Sequence, residues 1–390
     1  MDHLERDIQI TDYDQKPFRF TGKSLEFFGI WIVNICLTIL TLGIYSAWAK
    51  VRTHQYFYGN TILDDSSFRY LASPLQILKG RAIASLLFVI YYILNATFPI
   101  YGIGFAVIIM ALVPAIIVLS LSFRMKNTGY RNITFHFERN FKQAYAVYAA
   151  PIVAFGTLFI ISIIMAIPQG PDPISAGTLA RNEIENPPFG IFAVFLAMIF
   201  SYPFWEYLKA NFIISNTFYG TSRFNFDTRA GSFYKLYILS LILFIFVIFV
   251  FGFLLALLEG YPKQEIADPK LFATSFVILG AIPFYLWAFA YVQTKKTNLI
   301  FNHTLINDMP LESNLTVTYM FFLYVTNTIA ILLSLGLLIP WSMIRSARYR
   351  AKTLSLLTAT NLDSFIANQQ EQVSAMGEEF GDIFDIDVGL

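Results

Sequence analysis

Two asparagines, Asn34 and Asn327, interrupt long apolar stretches of the chain. A carboxamide at such depth is costly unless it is paired, so both are candidates for a polar substrate path. The competing reading is plain helix–helix hydrogen bonding, which adds only about 0.6–2 kcal/mol. Nine residues after each asparagine stands a glycine, Gly43 and Gly336, in the strings Thr41-Leu42-Gly43-Ile44 and Ser334-Leu335-Gly336-Leu337. Glycine just past a helix end is a common stop because it adopts left-handed backbone without a Cβ clash. Trp48, Lys50 and Arg52 follow the first glycine; Trp341 and Arg345 follow the second. An aromatic ring with cations at a helix end suits an anionic headgroup or anionic substrate. It equally suits an interfacial anchor with snorkelling bases. Glu206 and Lys209 sit one helical turn apart beside Trp205 and read as an ion pair.

Other chemistry is sparse. His3, His54, His136 and His303 form no metal-ligand spacing, and Cys36 is the sole cysteine, so neither a metal site nor a disulfide scaffold is expected. There is no nucleophile elbow, P-loop or CxxC, and Gly102-Ile103-Gly104 does not follow a strand. An enzyme would require a constellation assembled from distant segments; the reading favours a non-enzyme with no cofactor. The net charge of +1 gives no field for nucleic acid.

The elements that must position these residues belong to a membrane. Hydrophobic residues make up 56% and charged residues 14% of the chain, too few charges to keep a folded monomer of this size in water. The segment Met1–Thr21, with Asp2, Glu5, Asp7, Asp12 and Asp14, has no apolar core and does not read as a signal peptide. Six stretches suit a full crossing: Pro74–Phe98, Gly102–Phe123, Tyr145–Ile167, Phe189–Tyr207, Phe233–Leu258 and Phe272–Val292. Two more, Leu25–Trp48 and Leu315–Trp341, flank them and carry the glycine breaks. We expect each flanking stretch to dip into the bilayer and return; two simple crossings, eight spans in all, are the alternative. With returning hairpins, all basic residues but Arg181, Lys263 and Lys270 fall on one side together with both termini. The positive-inside rule makes that side cytoplasmic.

The flanking stretches also match each other at an offset of 293: Asn34 with Asn327, Gly43 with Gly336, Trp48 with Trp341, Arg52 with Arg345, Tyr56 with Tyr349. A weaker repeat runs between them. Aromatic-x-aromatic signals precede helices at Phe18-Arg19-Phe20, Phe68-Arg69-Tyr70, Phe135-His136-Phe137 and Phe224-Asn225-Phe226. Asparagine–threonine signals close helices at Asn60-Thr61, Arg131-Asn132-Ile133-Thr134, Asn216-Thr217 and Asn302-His303-Thr304. The implied unit is strand, helix, turn, helix, strand, repeated in parallel. The expected fold class is therefore an all-α membrane helix bundle, six crossings plus two glycine-broken hairpins, with small cytoplasmic β-hairpins. It divides into a cytoplasmic segment 1–24, a membrane domain 25–358 and a tail 359–390. From Gln369 the tail holds six acidic residues (Glu371, Glu378, Glu379, Asp382, Asp385, Asp387), no Lys or Arg, and apolar Phe380, Ile383, Phe384, Ile386, Val388 and Leu390. It suits docking on a basic layer or on a partner protein, and a merely solvated end is the alternative.

The run Thr41-Leu42-Gly43-Ile44-Tyr45-Ser46-Ala47-Trp48-Ala49-Lys50-Val51-Arg52, followed by Tyr56-Phe57-Tyr58-Gly59-Asn60-Thr61 and Pro74-Leu75-Gln76-Ile77-Leu78-Lys79-Gly80, resembles the YjgN family of bacterial inner-membrane proteins. The likeness extends to the ending Phe384-Asp385-Ile386-Asp387-Val388-Gly389-Leu390. It implies a bacterial inner-membrane location and supplies no catalytic residues. Two functions are expected to compete: a transporter or channel-like protein moving a small polar solute or lipid between the Asn34 and Asn327 elements, or a scaffold recruiting a partner through its cytoplasmic layer and tail.

Overall fold

A computed structural model of the chain describes residues 13–166, 189–259, 269–359 and 361–383. Strands and helices alternate in one repeating order. Strand β1 (Asp14–Phe20) leads into α1 (Ser24–Leu40) and α2 (Ser46–Gly59), which returns to β2 (Thr61–Leu63). Next come β3 (Ser66–Tyr70), α3 (Pro74–Thr97), α4 (Pro99–Lys126) and β4 (Thr128–Tyr130). The third unit is β5 (Ile133–Phe137), α5 (Phe141–Ala144), a π turn (Tyr145–Ala149), α6 (Ala150–Ala166), α7 (Phe189–Ser215) and β6 (Thr217–Tyr219). The fourth is β7 (Ser222–Phe226), α8 (Ala230–Glu259), α9 (Pro269–Asn302) and β8 (Thr304–Ile306). The fifth is β9 (Met309–Ser313), α10 (Val317–Leu333), α11 (Ile339–Lys352) and β10 (Leu354–Thr358), after which α12 (Leu362–Ile383) ends the described chain.

The ten strands pair antiparallel, each with its sequence neighbour, and β1 pairs with β10 to close a barrel. This corrects the expected all-α bundle with small cytoplasmic β-hairpins. A lone two-stranded hairpin is marginal in water and leaves two unpaired edges; joining four of them edge to edge with the β10–β1 pair removes every edge. Among the described residues five helices are long and apolar enough to span: Pro74–Thr97, Pro99–Lys126, Phe141–Ile163, Gly190–Ser215 and Ala230–Val250. The sixth expected stretch, Phe272–Val292, falls in α9, and many of its side chains lie outside the described residues. The helices α1 and α10 stop at 17 residues each.

Four two-residue turns form one rim of the barrel. They suit the right-handed strand twist because their residues take left-handed backbone: Asp64 and Asp65 (φ 44° and 57°), Arg131 and Asn132 (45° and 67°), Gly220 (59°) and Asn307 (55°). All five helix pairs leave from the opposite rim. There the residue after each outgoing strand donates its N–H to the carbonyl that ends the returning helix: Thr21 to Asn60, Leu71 to Asn127, Glu138 to Asn216, Asp227 to His303 and Asn314 to Thr353, at 2.8–3.0 Å. Side chains at the same helix ends occupy orphan carbonyls. Asn60, Asn127 and Asn216 donate back four residues, as do Thr61, Thr128, Thr217, Thr304 and Thr353. The asparagine–threonine signal is this junction. In the second unit it is Asn127-Thr128, whereas Arg131-Asn132 forms a strand turn rather than a helix end.

The aromatic-x-aromatic signal has an equally local cause. Residues two apart on a strand share a face. Phe18, Phe68, Phe135 and Phe224 point into the barrel and pack against Leu63, Tyr130, Ile133, Tyr219, Met309, Leu311 and Leu356. Phe20, Tyr70 and Phe137, one pleat further on, lie buried beneath the departing helices. The lumen is thus a packed core. α12 seals it at the turn rim by adding Leu362, Phe365 and Ile366 to that core. Gln369 Oε1 accepts from the backbone N–H of Thr221 and Ser222 at 2.9 and 3.2 Å. Arg131 ties Asp363 to the Asp64 carboxylate, and Gln370 donates to the Arg131 carbonyl.

The helix pairs close a ring of their own: α2 packs on α3, α4 on α5 and the π turn, α7 on α8, α9 on α10, and α11 on α1. Most of their apolar surface stays uncovered by protein; α3 has no buried residue. Such faces are stable where lipid is the surrounding solvent.

Candidate functional site

The seam of the ring, α1–α2 against α10–α11, carries most of the residues that the sequence singles out. Each half is a helical hairpin closed by the same turn. Leu42 N–H donates to Ile39 O and Gly43 N–H to Thr38 O; Leu335 and Gly336 donate likewise to Leu332 and Ile331. This pattern satisfies the last helical carbonyls. Both residues of each turn are left-handed, Leu42 at φ 50° with Gly43 at 91°, and Leu335 at 49° with Gly336 at 92°. Glycine alone does not absorb the reversal, and a left-handed leucine costs about 1–2 kcal/mol. Leu42 and Leu335 are 95% exposed at the hairpin tips.

Asn34 and Asn327 are both buried and staple their own hairpins. Asn34 Nδ2 donates to Ala49 O at 3.4 Å, and Asn327 Nδ2 to Ser342 O at 3.5 Å, each fifteen residues on. Asn327 also reaches Ser346 Oγ at 3.2 Å and accepts from Arg345 Nη1 at 3.3 Å. Among the described residues Asn34 Oδ1 has no hydrogen-bond partner although it is buried. It borders a cavity of about 370 Å³ lined by Trp31, Thr38, Ser46, Lys50 and His54. Burial, followed by the nearby Lys50 and Arg124 charges, pushes the His54 pKa down.

The duplicated aromatic–cation pairs differ in detail. Arg345 stacks over Trp341 at 5.2 Å. Arg52 instead donates to Tyr45 Oη at 3.3 Å, and Trp48 stacks on Tyr45. Arg345 also lines a second cavity, of about 670 Å³, with Arg348 and Lys352. Those two cations were not singled out in the sequence, although their 345, 348, 352 spacing places all three on one helical stripe.

Glu206 lies away from the seam, on α7. Its carboxylate is buried between Lys209 of the same helix and Lys296 of α9. Lys209 sits 4.1 Å over the Trp205 ring. Lys296 is ninety residues distant in sequence, which hides the second half of this cluster from any local pattern. His136 packs beside Phe218, and His303 Nδ1 lies 2.8 Å from Leu299 O. Among the described residues no group of His, Cys, Asp and Glu could hold a metal ion. His3, Arg181, Lys263, Asp385 and Asp387, and the side chains of Lys270, Glu378, Glu379, Phe380 and Asp382, lie outside what the structure describes.

Apolar helices of spanning length above a closed, packed barrel define a membrane protein. The chain belongs to the family described as bacterial protein of unknown function (DUF898), whose pattern covers residues 15–383. It is similar to the inner membrane protein YjgN of Salmonella typhimurium, 25% identical over 354 residues and 86% of each chain. It is likewise similar to the inner membrane protein YjgN of Escherichia coli K12, 24% identical over 390 residues and 94% of each chain. The family resemblance read from the 41–80 motifs is therefore correct. No solved structure matches the chain.

Proposed function

We propose that the protein works in a bacterial inner membrane as a transporter or channel-like protein for a small polar solute or a lipid, its path following the α1–α2/α10–α11 seam. Barrel and termini face the cytoplasm on this reading, which the basic residues of the barrel and its rim support. The observation that carries it is the buried Asn34 Oδ1, without a partner among the described residues, beside a cavity lined by Thr38, Ser46, Lys50 and His54. The packed lumen argues against a route along the barrel axis. Helix lengths argue for the seam: α1 and α10 reach about 25 Å, short of the roughly 30 Å hydrocarbon layer, whereas α4 reaches about 42 Å. The wall is lowest there, and the exposed Leu42 and Leu335 suit tips that stay in hydrocarbon.

The test is movement of fluorescent phosphatidylglycerol between leaflets of proteoliposomes, with efflux of a panel of small polar solutes measured in parallel. The parent should accelerate at least one process, and an Asn34→Leu, Asn327→Leu variant of unchanged melting behaviour should not. Equal rates for the two proteins would overturn the reading. The scaffold reading keeps one observation: Asp363, Ser364, Asn368, Glu371 and Gln372 lie exposed along α12 on the turn rim. Capture of a partner that depends on α12 and not on the asparagines would favour it.

A further inference from the structure

Arg345, Arg348 and Lys352 face a groove at the rim where α10 leaves the barrel and α11 returns. The remaining wall is neutral and polar: Gln15 and Ser355 from the barrel, Asn314 and Thr316 from the link into α10, and Tyr319 stacked on Tyr349 at 3.9 Å. Among the described residues none of the three cations is in an ion pair. The Glu312 carboxylate, on the strand leading to Asn314, is turned to Gln15 Nε2 and Asn314 Nδ2 at 3.2 and 2.9 Å, and Glu26, on the Tyr56 hydroxyl, pairs with Lys23. Arg345 is fixed by Trp341, Asn327 and Thr326, and Arg348 by Gly22 O at 3.0 Å. Each retains further donors.

A separate apolar cavity lies beside the cations. Thr326, which accepts from Arg345, borders it, and its volume of about 490 Å³ runs along the same hairpin past Ile329, Ala330, Leu333 and Leu338. Cations at the barrel rim with an apolar trough running toward the hairpin tip match one kind of occupant. We propose that the α10–α11 groove binds a phospholipid, its anionic phosphate held by Arg345, Arg348 and Lys352 and an acyl chain lying in the Ile329–Leu338 trough. Two guanidinium forks and an ammonium can saturate the non-bridging phosphate oxygens. The trough selects a lipid over a free anion. Ordinary interfacial bases radiate into the headgroup layer, whereas these three converge on one concavity.

This names a lipid class for the seam and so rests on the transport reading, but its test needs no transport. Delipidated protein in detergent is titrated with dioleoyl phosphatidylglycerol, dioleoyl phosphatidylcholine or inorganic phosphate, and bound species are counted by native mass spectrometry. Phosphatidylglycerol should be retained most tightly. Arg348→Gln with Lys352→Gln should weaken it by at least about tenfold, while leaving Arg345 to staple Asn327. Ala330→Trp, which fills the trough and keeps every charge, should weaken it as well, guarding against a charge variant that fails to fold. Retention unchanged by both variants would overturn the proposal. So would equal retention of phosphatidylcholine, or inorganic phosphate competing as strongly as lipid. Loss of binding with solute efflux intact would sink this proposal alone. Lipid binding without movement of any substrate would sink the transport reading alone.

Discussion

Glu206 owes its place in the fold to two lysines, and its carboxylate is the counter-charge that both share. Glu206→Gln would leave Lys209 and Lys296 facing each other without a counter-charge. Both lysines keep about a quarter of their side-chain surface, so the loss should fall toward the lower end of the roughly 3–5 kcal/mol seen for broken buried pairs. Thermal unfolding in detergent should show the drop, and adding Lys296→Gln should recover part of it. A second residue-scale prediction concerns acid. Burial alone would raise the Asp64 carboxyl pKa, but Lys16 and Arg131 together hold it below its ordinary value. A depressed carboxylate stabilises the fold at full strength above its unfolded pKa and loses that contribution as pH falls through the folded one. The Asp64–Arg131 tie should therefore be indifferent to pH between 5 and 8, and loosen below about pH 4. Amide exchange at the start of α12 is the readout. At this scale much was legible in the sequence: a lone asparagine in an apolar run announces itself by cost. Lys296 did not, because nothing local links it to Glu206.

Helical elements were legible where punctuation is strong. Gly43 and Gly336 mark real hairpin turns, and their φ near 90° excludes other residues for backbone reasons alone. Gly43→Ala and Gly336→Ala should each cost about 1–3 kcal/mol in thermal unfolding, even though open space surrounds the Gly43 site. The strands were legible as short aromatic alternations, but not their partners. Two-residue turns fix pairing within a hairpin, whereas pairing between hairpins, such as Phe68 with Tyr130 or Phe135 with Tyr219, depends on how neighbouring helix pairs pack. α12 was missed for a related reason: the docking signal was read from Gln369 onward, whereas the residues that pack on the barrel are Leu362, Phe365 and Ile366, and the surface they meet exists only once the barrel has formed. Truncation at Asn361 removes Leu362, Phe365 and Ile366, each contributing about 1.5–3 kcal/mol when buried. The amides of Thr221 and Ser222, which donate to Gln369, should then exchange orders of magnitude faster. Unchanged protection would mean that α12 contributes nothing to the barrel.

Across the whole molecule, two stacked closures share a single seam: β1 meets β10 in the barrel, and α1 meets α11 in the ring. Each pairing joins the first unit to the last. Asp14 lies opposite Thr358, a separation that would make strand pairing very slow in a free chain. Insertion of the intervening helices in lipid before strand pairing would carry the strand ends close together, so that the bilayer, rather than the sheet, would bear most of the entropy of bringing them together. During synthesis the nascent chain therefore passes through a long stage in which nine strands are in place and β1 and β9 present bare edges at the membrane surface. Emergence of fewer than ten further residues, Leu354 to Thr358, from the ribosome ends that stage. Those last residues act as a completeness check: a chain cut short just before them is fully inserted yet sticky, open to joining another such chain edge to edge or to recognition as unfinished.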